Sequence, residues 1–265
     1  MRFEPSKCKI MRITRKITHK ITYQYTMDHA NLESVQHTKY LGVMISDDLR
    51  WNRHVADITG RANKLLGLLR RNLSTCDRRV KEAAYLGLVR PLLEYASQTW
   101  DPYTDNLSKG IEKIQRRAVR FVTSDYQNFE LGSVSTLLKD LGWKSLKLRR
   151  EVDRLCLLKN GLENNTILPL DELSKPARKT RHMHNKYYST IYARTNIFKF
   201  SFVPRTLRDW NNLPHNVVEI ADDAKFRKLL LLCSCISIFN ILYNSLGQYL
   251  SKFFATSFCI AKESH

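Results

Sequence analysis

The sequence predicts a mainly α-helical protein, in which an amphipathic helical bundle follows a small β element and precedes a hydrophobic tail. Apolar residues recur at helical spacing through most of the middle of the chain, whereas alternation with period two is confined to its start. Of 44 basic residues, only Lys252 and Lys262 lie beyond residue 228. We therefore divide the chain into segments 1–46, 47–160, 161–228 and 229–265.

The composition favours a polyanionic partner. The 265 residues include 44 Lys and Arg against 25 Asp and Glu, a formal net charge of +19. An excess of this size suits nucleic acid first and an anionic membrane surface second. The six cysteines are scattered without a CxxC pair or zinc-type spacing, and residues 1–32 lack an apolar signal-peptide core. We expect an intracellular protein, nuclear or cytoplasmic, with reduced cysteines.

Segment 1–46 is predicted to form strands. Alternating residues occur in CKIMRIT and ITYQYTM, and a short apolar run, KYLGVMI, precedes a turn at SDD. Three such strands need a larger body to pack on.

Residues 51–71 have the pattern of an amphipathic helix. The apolar side contains Val55, Ile58, Ala62, Leu65, Leu66 and Leu69. The other side contains Arg53, Lys64 and Arg71, together with Gly60 and Gly67. Two glycines on one helix face suggest that another backbone approaches closely, and either a phosphodiester chain or a neighbouring helix would fit.

A second helical stretch is predicted over residues 77–99, with an apolar face at Val80, Ala84, Leu88 and Leu92. Pro91 lies inside this stretch and has no backbone N–H, so we expect a kink or a restart there.

Two further helices carry one-sided positive charge. In 108–123 the apolar face is Ile111, Ile114, Ala118, Phe121 and Val122, opposite Lys109, Lys113, Arg116 and Arg120. In 145–160 the apolar residues are Leu148, Val152 and Leu155, opposite Lys147, Arg150 and Arg154. A single basic face is usually a solvated surface. Three successive helices with basic faces and few acidic neighbours favour nucleic-acid binding. A bound polyanion relieves the repulsion between the cations and releases its own counterions.

The last two segments leave alternatives open. Residues 162–228 interleave Tyr and Phe with Arg and Lys, which suits either stacking on bases or packing of a loop or strand pair on the helices. Residues 229–247 approach the roughly 20 apolar residues of a membrane span, and the predicted membrane contact is 229–250. A divergent hydrophobic tail explains this stretch equally well.

Several spaced motifs resemble the region after the catalytic core in reverse transcriptases of non-LTR, or LINE-type, retrotransposons. The resemblance runs from about Phe3 to Lys228 through FEPSKCKIMRIT, TKYLGVMISDDLRWNRHV, RANKLLGLLRRNL, LVRPLLEYASQTWDPY, IEKIQRRAVRFV and FVPRTLRDWNNLP. It implies that 1–46 is the edge of a polymerase palm, 47–160 a helical thumb and 161–228 a basic and aromatic C-terminal region. It further implies that Tyr40, Leu41 and Gly42 form the primer-grip element.

The catalytic motif of that family does not occur in this sequence. The family holds two Mg²⁺ ions with an aromatic-x-Asp-Asp turn and an upstream Asp. Asp47-Asp48 follows Ile45-Ser46 instead, and Asp222-Asp223 precedes a helix, where carboxylates suit the dipole. We therefore predict no catalytic residue, no metal site and no cofactor in this chain, with Mg²⁺ expected for the intact parent polymerase.

Two classes of function follow. The first is a fragment of a retrotransposon RNA-directed DNA polymerase that has no polymerase activity alone but binds RNA, DNA or an RNA–DNA hybrid. The second is a small basic module that uses its hydrophobic tail for membrane anchoring or protein interaction.

Overall fold

The structure, a computed structural model, describes residues 4–14, 23–127, 130, 132–164, 173–181 and 183–232. It is mainly helical with small sheets near the start, which confirms the predicted fold class. The chain forms two compact units. Unit 1 is Met1–Arg150 with Ala193–Ser201, and unit 2 is Glu151–Tyr192 with Phe202–His265.

Among the described residues, the β element of unit 1 consists of three two-stranded sheets. β1 pairs in parallel with β4, β2 pairs antiparallel with β3, and β5 pairs antiparallel with β6. The strands are β1 Lys9–Ile10, β2 Thr26–Met27, β3 Ala30–Asn31, β4 Glu33–Ser34, β5 His37–Tyr40 and β6 Val43–Ser46. Of the predicted ITYQYTM strand, residues 23–27 are described, and only Thr26–Met27 form a strand.

The KYLGVMI run is a hairpin rather than a single strand, so this prediction is wrong. Tyr40 pairs with Val43, which leaves Leu41 and Gly42 as a two-residue turn. Their φ angles are +44° and +85°. Positive φ at both central residues suits the twist of a two-residue hairpin, and glycine adopts it without a steric penalty.

The predicted first and third helices form the core of unit 1. α1 packs against α5, and the apolar residues predicted for both faces are buried or half-buried. The helices of unit 1 are α1 Asn52–Asn72, α2 Arg78–Ala84, α3 Arg90–Glu94, α4 Ser97–Trp100, α5 Asp105–Thr123, α6 Ser133–Asp140 and α8 Asn196–Lys199. α7, Leu146–Asn164, begins in unit 1 and continues in unit 2.

The second predicted helix has a different buried face from the one expected. Val80 is 47% exposed and Leu88 is 53% exposed, so the predicted face points largely to solvent. The buried residues are one position later, at Lys81, Tyr85, Val89 and Leu93. This register buries the Tyr85 ring, which stacks on Trp143 with the ring centroids 4.5 Å apart.

The kink or restart expected at Pro91 takes the form of a π-helical turn. This turn, Tyr85–Val89, lies between α2 and α3, and the backbone N–H of Arg90 donates to the carbonyl of Tyr85. The π turn accommodates the missing N–H of Pro91 without ending the helix.

In its described residues, unit 2 contains the rest of α7 and three helices, α9 Phe202–Asn211, α10 His215–Val218 and α11 Asp223–Leu232. The boundary proposed at residue 228 falls inside α11, where Phe226 and Leu230 are buried. Residues 233–265, which include most of the predicted membrane segment, lie outside the described part of the chain. Within the part that is described, no helix is long and apolar enough to cross a bilayer.

Candidate nucleic-acid interface

A side-chain bond joins the two helices that carry the first two basic rows. Arg117 of α5 donates from Nη1 to Oδ1 of Asn63 in α1, at 2.8 Å. Asn63 precedes Lys64 of the first row, and Arg117 follows Arg116 of the second. Both rows are therefore carried on one pair of packed helices.

The predicted cations of the two helices are mostly exposed. Arg53, Lys64, Arg71, Lys109, Lys113 and Arg116 are exposed, and Arg120 is half-buried. Arg53 is engaged, because its Nη1 donates to Nδ1 of His37 in β5 at 2.6 Å. We define the α1–α5 basic surface as the five exposed cations that form no ion pair with any described residue: Lys64, Arg71, Lys109, Lys113 and Arg116.

Glu112 does not neutralise this surface through a salt bridge within α5. Its carboxylate accepts a hydrogen bond from the backbone N–H of Lys147 at 2.7 Å. Lys147 lies in the first turn of α7, where free N–H groups and the helix dipole attract a carboxylate. The acidic residue nearest to the α5 cations is thus used to hold another helix.

The predicted primer-grip residues lie at the tip of the β5–β6 hairpin. Tyr40 and Leu41 are exposed at 64% and 74%. The Oη of Tyr95 donates to the carbonyl of Leu41 at 3.0 Å, and a Cβ on Gly42 would lie 3.0 Å from the Tyr95 ring. Glycine at position 42 therefore allows both the positive φ and the close approach of the aromatic ring.

Arg150 and Arg154 are not on an exposed basic face, and this part of the prediction is wrong. Arg150 is 0% exposed and donates to Asp101 at 2.8 Å and Ser108 at 3.2 Å, within unit 1. Arg154, in unit 2, is 2% exposed and donates to Asp209 at 2.9 Å. Buried guanidinium groups need such partners, because an unpaired buried charge is strongly unfavourable.

The glycines of α1 have free space beside them. An added Cβ at Gly60 would meet nothing within 4 Å, and at Gly67 it would meet the Arg71 side chain at 3.8 Å. A neighbouring helix therefore does not occupy this face within the described ranges. The other alternative, a phosphodiester backbone, stays a prediction.

Two residues that the sequence did not single out shape unit 1. Tyr95, noted only as part of an aromatic stretch, supports the hairpin turn. Lys81 is 5% exposed and donates to Oγ of Ser124 at 2.8 Å. The burial of Lys81 could not be predicted from the sequence, because lysine is ordinarily a surface residue.

The two Asp-Asp pairs form local turns. Asp48 accepts from the backbone N–H of Arg50 at 2.9 Å, and Asp222 accepts from that of Ala224 at 2.8 Å at the start of α11. The predicted role of Asp222 at a helix N-terminus is thus confirmed. Across the described ranges, no group of three or more His, Cys, Asp or Glu side chains is arranged to hold a metal ion.

Comparison with known proteins gives one modest similarity. Over 126 residues the chain is 27% identical to a probable RNA-directed DNA polymerase from transposon BS of Drosophila melanogaster. The match covers 46% of this chain and 14% of that protein's length. No protein-family model and no solved structure matches the chain. The match supports a region related to a transposon RNA-directed DNA polymerase.

Proposed function

We propose that this chain is a post-catalytic region of a retrotransposon reverse transcriptase, and that its α1–α5 basic surface binds the phosphates of a primer–template duplex. The observation that supports this proposal most directly is the set of five exposed cations on two packed helices. None of them forms an ion pair with a described residue. The similarity to a transposon RNA-directed DNA polymerase adds independent support. RNA, DNA and RNA–DNA hybrids all present a suitable phosphate backbone.

The proposed contacts are made to the phosphate groups of the nucleic acid rather than to its bases. Lysine and arginine on an exposed helix face neutralise phosphates, and such contacts carry little sequence information. The Tyr40–Leu41–Gly42 turn adds an exposed aromatic and apolar tip on the same unit. We propose that this tip supports the end of the primer, as the family resemblance implies.

A fluorescence-anisotropy titration tests the binding. A labelled RNA–DNA hybrid is titrated with the full chain at several salt concentrations, with scrambled sequences alongside. Five neutralised phosphates predict a log–log salt slope of about −4.5 for a duplex, nearly the same for every sequence. A salt-independent affinity, or none for any duplex, would refute the proposed surface.

We further propose that the chain alone does not extend a primer, because its sequence lacks the aromatic-x-Asp-Asp turn. Mg²⁺-dependent extension of a primed RNA template by the purified chain would contradict this. The alternative function, membrane anchoring or protein interaction through 229–250, stays a prediction. Phosphatidylserine vesicles serve as the comparison ligand, and preferential vesicle binding would favour that alternative.

A further inference from the structure

A cavity of about 150 Å³ lies in unit 1, where the β5–β6 hairpin meets α1 and the end of α3. An engineered apolar cavity of roughly this volume accommodates a benzene ring. Exposed side chains form part of the wall, so the cavity is accessible from solvent. Its lining residues are Lys39, Gly42, His54, Ile58, Arg61, Leu92 and Tyr95.

The wall carries net positive charge. Lys39 forms no ion pair with a described residue, and Arg61 is bound to Asp57 at 3.0 Å. Asp57 offsets one of the two cations, which leaves one charge in excess. A negative group in the cavity would meet this excess, whereas a cationic ligand would be repelled.

His54 forms an uncharged part of the cavity wall. Its Nδ1 accepts from the backbone N–H of Met44 at 3.2 Å, so the neutral ring carries its proton on Nε2. The ring packs against Trp100 with the ring centroids 4.9 Å apart, and the residue is 1% exposed. Nε2 has no accessible surface, so an occupant of the cavity would contact the ring without accepting a hydrogen bond from it.

We propose that this cavity binds a small aromatic carboxylate. The ring would pack against Ile58, Leu92 and Tyr95, and the carboxylate would accept from Lys39 and Arg61. The proposal does not depend on nucleic-acid binding. Because Gly42 and Tyr95 belong to the same wall, an occupant would also restrain the hairpin turn.

Benzoate is the probe. It is titrated into the full chain, labelled on the Ile and Leu methyl groups and the histidine rings, and followed by NMR. We expect saturable shifts at Ile58, Leu92 and His54. Benzamide, which has the same shape without the charge, should bind about tenfold more weakly. Saturable benzoate binding that leaves these three residues unperturbed would overturn the proposal.

Two variants separate the charge from the cavity. Lys39→Glu should weaken benzoate binding about tenfold or more. Lys139→Glu makes the same change at an exposed site of α6 outside the cavity and should leave affinity unchanged. Leu92→Trp should abolish binding by filling the space, and the methyl spectrum reports whether it folds. If Leu92→Trp does not fold, the Lys39→Glu result still decides.

Three results would overturn the proposal. The first is the absence of saturable shifts with benzoate. The second is equal affinity for benzamide, which would remove the role of the charge. The third is inorganic phosphate producing the same shifts at the same concentration, which would remove the role of the ring.

Discussion

Asn211 and Tyr188 form a reciprocal hydrogen-bonded pair in unit 2. The amide Nδ2 of Asn211 donates to the carbonyl of Tyr188 at 2.8 Å, and its Oδ1 accepts from the N–H of Tyr188 at 3.2 Å. The indole of Trp210 donates to the carbonyl of Lys186 at 2.8 Å. Trp210 and Asn211 at the end of α9 thus hold the backbone of a basic segment that forms no strand in its described residues.

The pair bears on the two interpretations of residues 162–228, which were stacking on bases and packing on the helices. Packing on a helix was one of two interpretations of the aromatic and basic segment, and the main chain at Lys186 and Tyr188 is packed in this way. Tyr192 is 83% exposed, however, so not every aromatic residue of the segment is used for packing.

The reciprocal pair predicts the effect of Asn211→Leu. The variant leaves the N–H and carbonyl of Tyr188 unpaired in a partly buried site, which should lower the free energy of unfolding by roughly 2–4 kcal/mol. Urea denaturation of the full chain measures the change. Asn212→Leu is the matched control, because Asn212 is exposed. Equal losses in both variants would contradict a structural role for the pair.

Charge reversal tests the α1–α5 basic surface. Lys113→Glu combined with Arg116→Glu should weaken binding to all duplex sequences alike and make the salt slope less negative by about 2. Lys225→Glu with Lys228→Glu makes the same change in net charge on exposed residues of α11. If both double variants lose affinity equally, the effect reflects net charge and not a surface on unit 1.

The open space beside α1 gives opposite predictions for stability and binding. Gly60→Ala should raise helix stability by about 1 kcal/mol, because nothing lies within 4 Å of the new methyl group. If a phosphate backbone approaches this face, the same variant should bind duplex more weakly. Anisotropy and urea unfolding measure the two effects. Gly87→Ala, also in open space, controls for added methyl groups, and unchanged affinity for Gly60→Ala would exclude close backbone approach.

His54 predicts a loss of stability in mild acid. Its pKa is lowered from 6.5 to about 4, chiefly by burial; Asp57 raises it in part, and Arg61 and Lys39 contribute to the lowering. Between these values the unfolded chain binds the proton and the folded chain does not. Stability from this group is therefore complete above pH 6.5 and declines by on the order of 3 kcal/mol as pH falls to about 4.

Unfolding free energies measured across this pH range check the prediction for His54. In His54→Asn the side-chain oxygen can replace Nδ1 as the acceptor for Met44, and the titrating ring is absent. The variant should lose the slope between pH 4 and 6.5 that this histidine contributes. An identical pH dependence in both proteins would mean that other groups account for it.

The burial of Arg150 predicts a contrast between two cations of α7. Arg150→Met removes the guanidinium that donates to the buried carboxylate of Asp101 and should destabilise the protein by roughly 3–5 kcal/mol. Lys147→Met, at an exposed position of the same helix, should change stability little. Thermal or urea unfolding checks both variants. Similar small effects would place Arg150 on the surface, as the sequence pattern suggested.

The second helix shows why a correct period did not identify the correct face. Two rows at four-residue spacing run through it, and the one starting at Val80 is apolar throughout. The buried row starts at Lys81, whose ammonium reaches Ser124 and lies 5.9 Å from the Phe121 ring centroid. Both partners lie more than 35 residues further along the chain. Local spacing therefore favoured the wrong row.

The sequence by itself determined the properties that depend on neighbouring residues. The period of apolar residues specified α1, α5 and α7, and the composition set the large positive charge. Gly42, which tolerates positive φ, permitted the tight turn. The resemblance to a reverse transcriptase likewise rests on short motifs in a fixed order.

Only the tertiary structure decided which cations are available at the surface. Arg116 and Arg150 occupy equivalent positions opposite an apolar stripe, yet one is exposed and the other is bound to Asp101, 49 residues away. Burial of a guanidinium depends on whether folding brings a carboxylate within hydrogen-bond distance. That distance is a property of the packed chain, which periodicity along one helix does not contain.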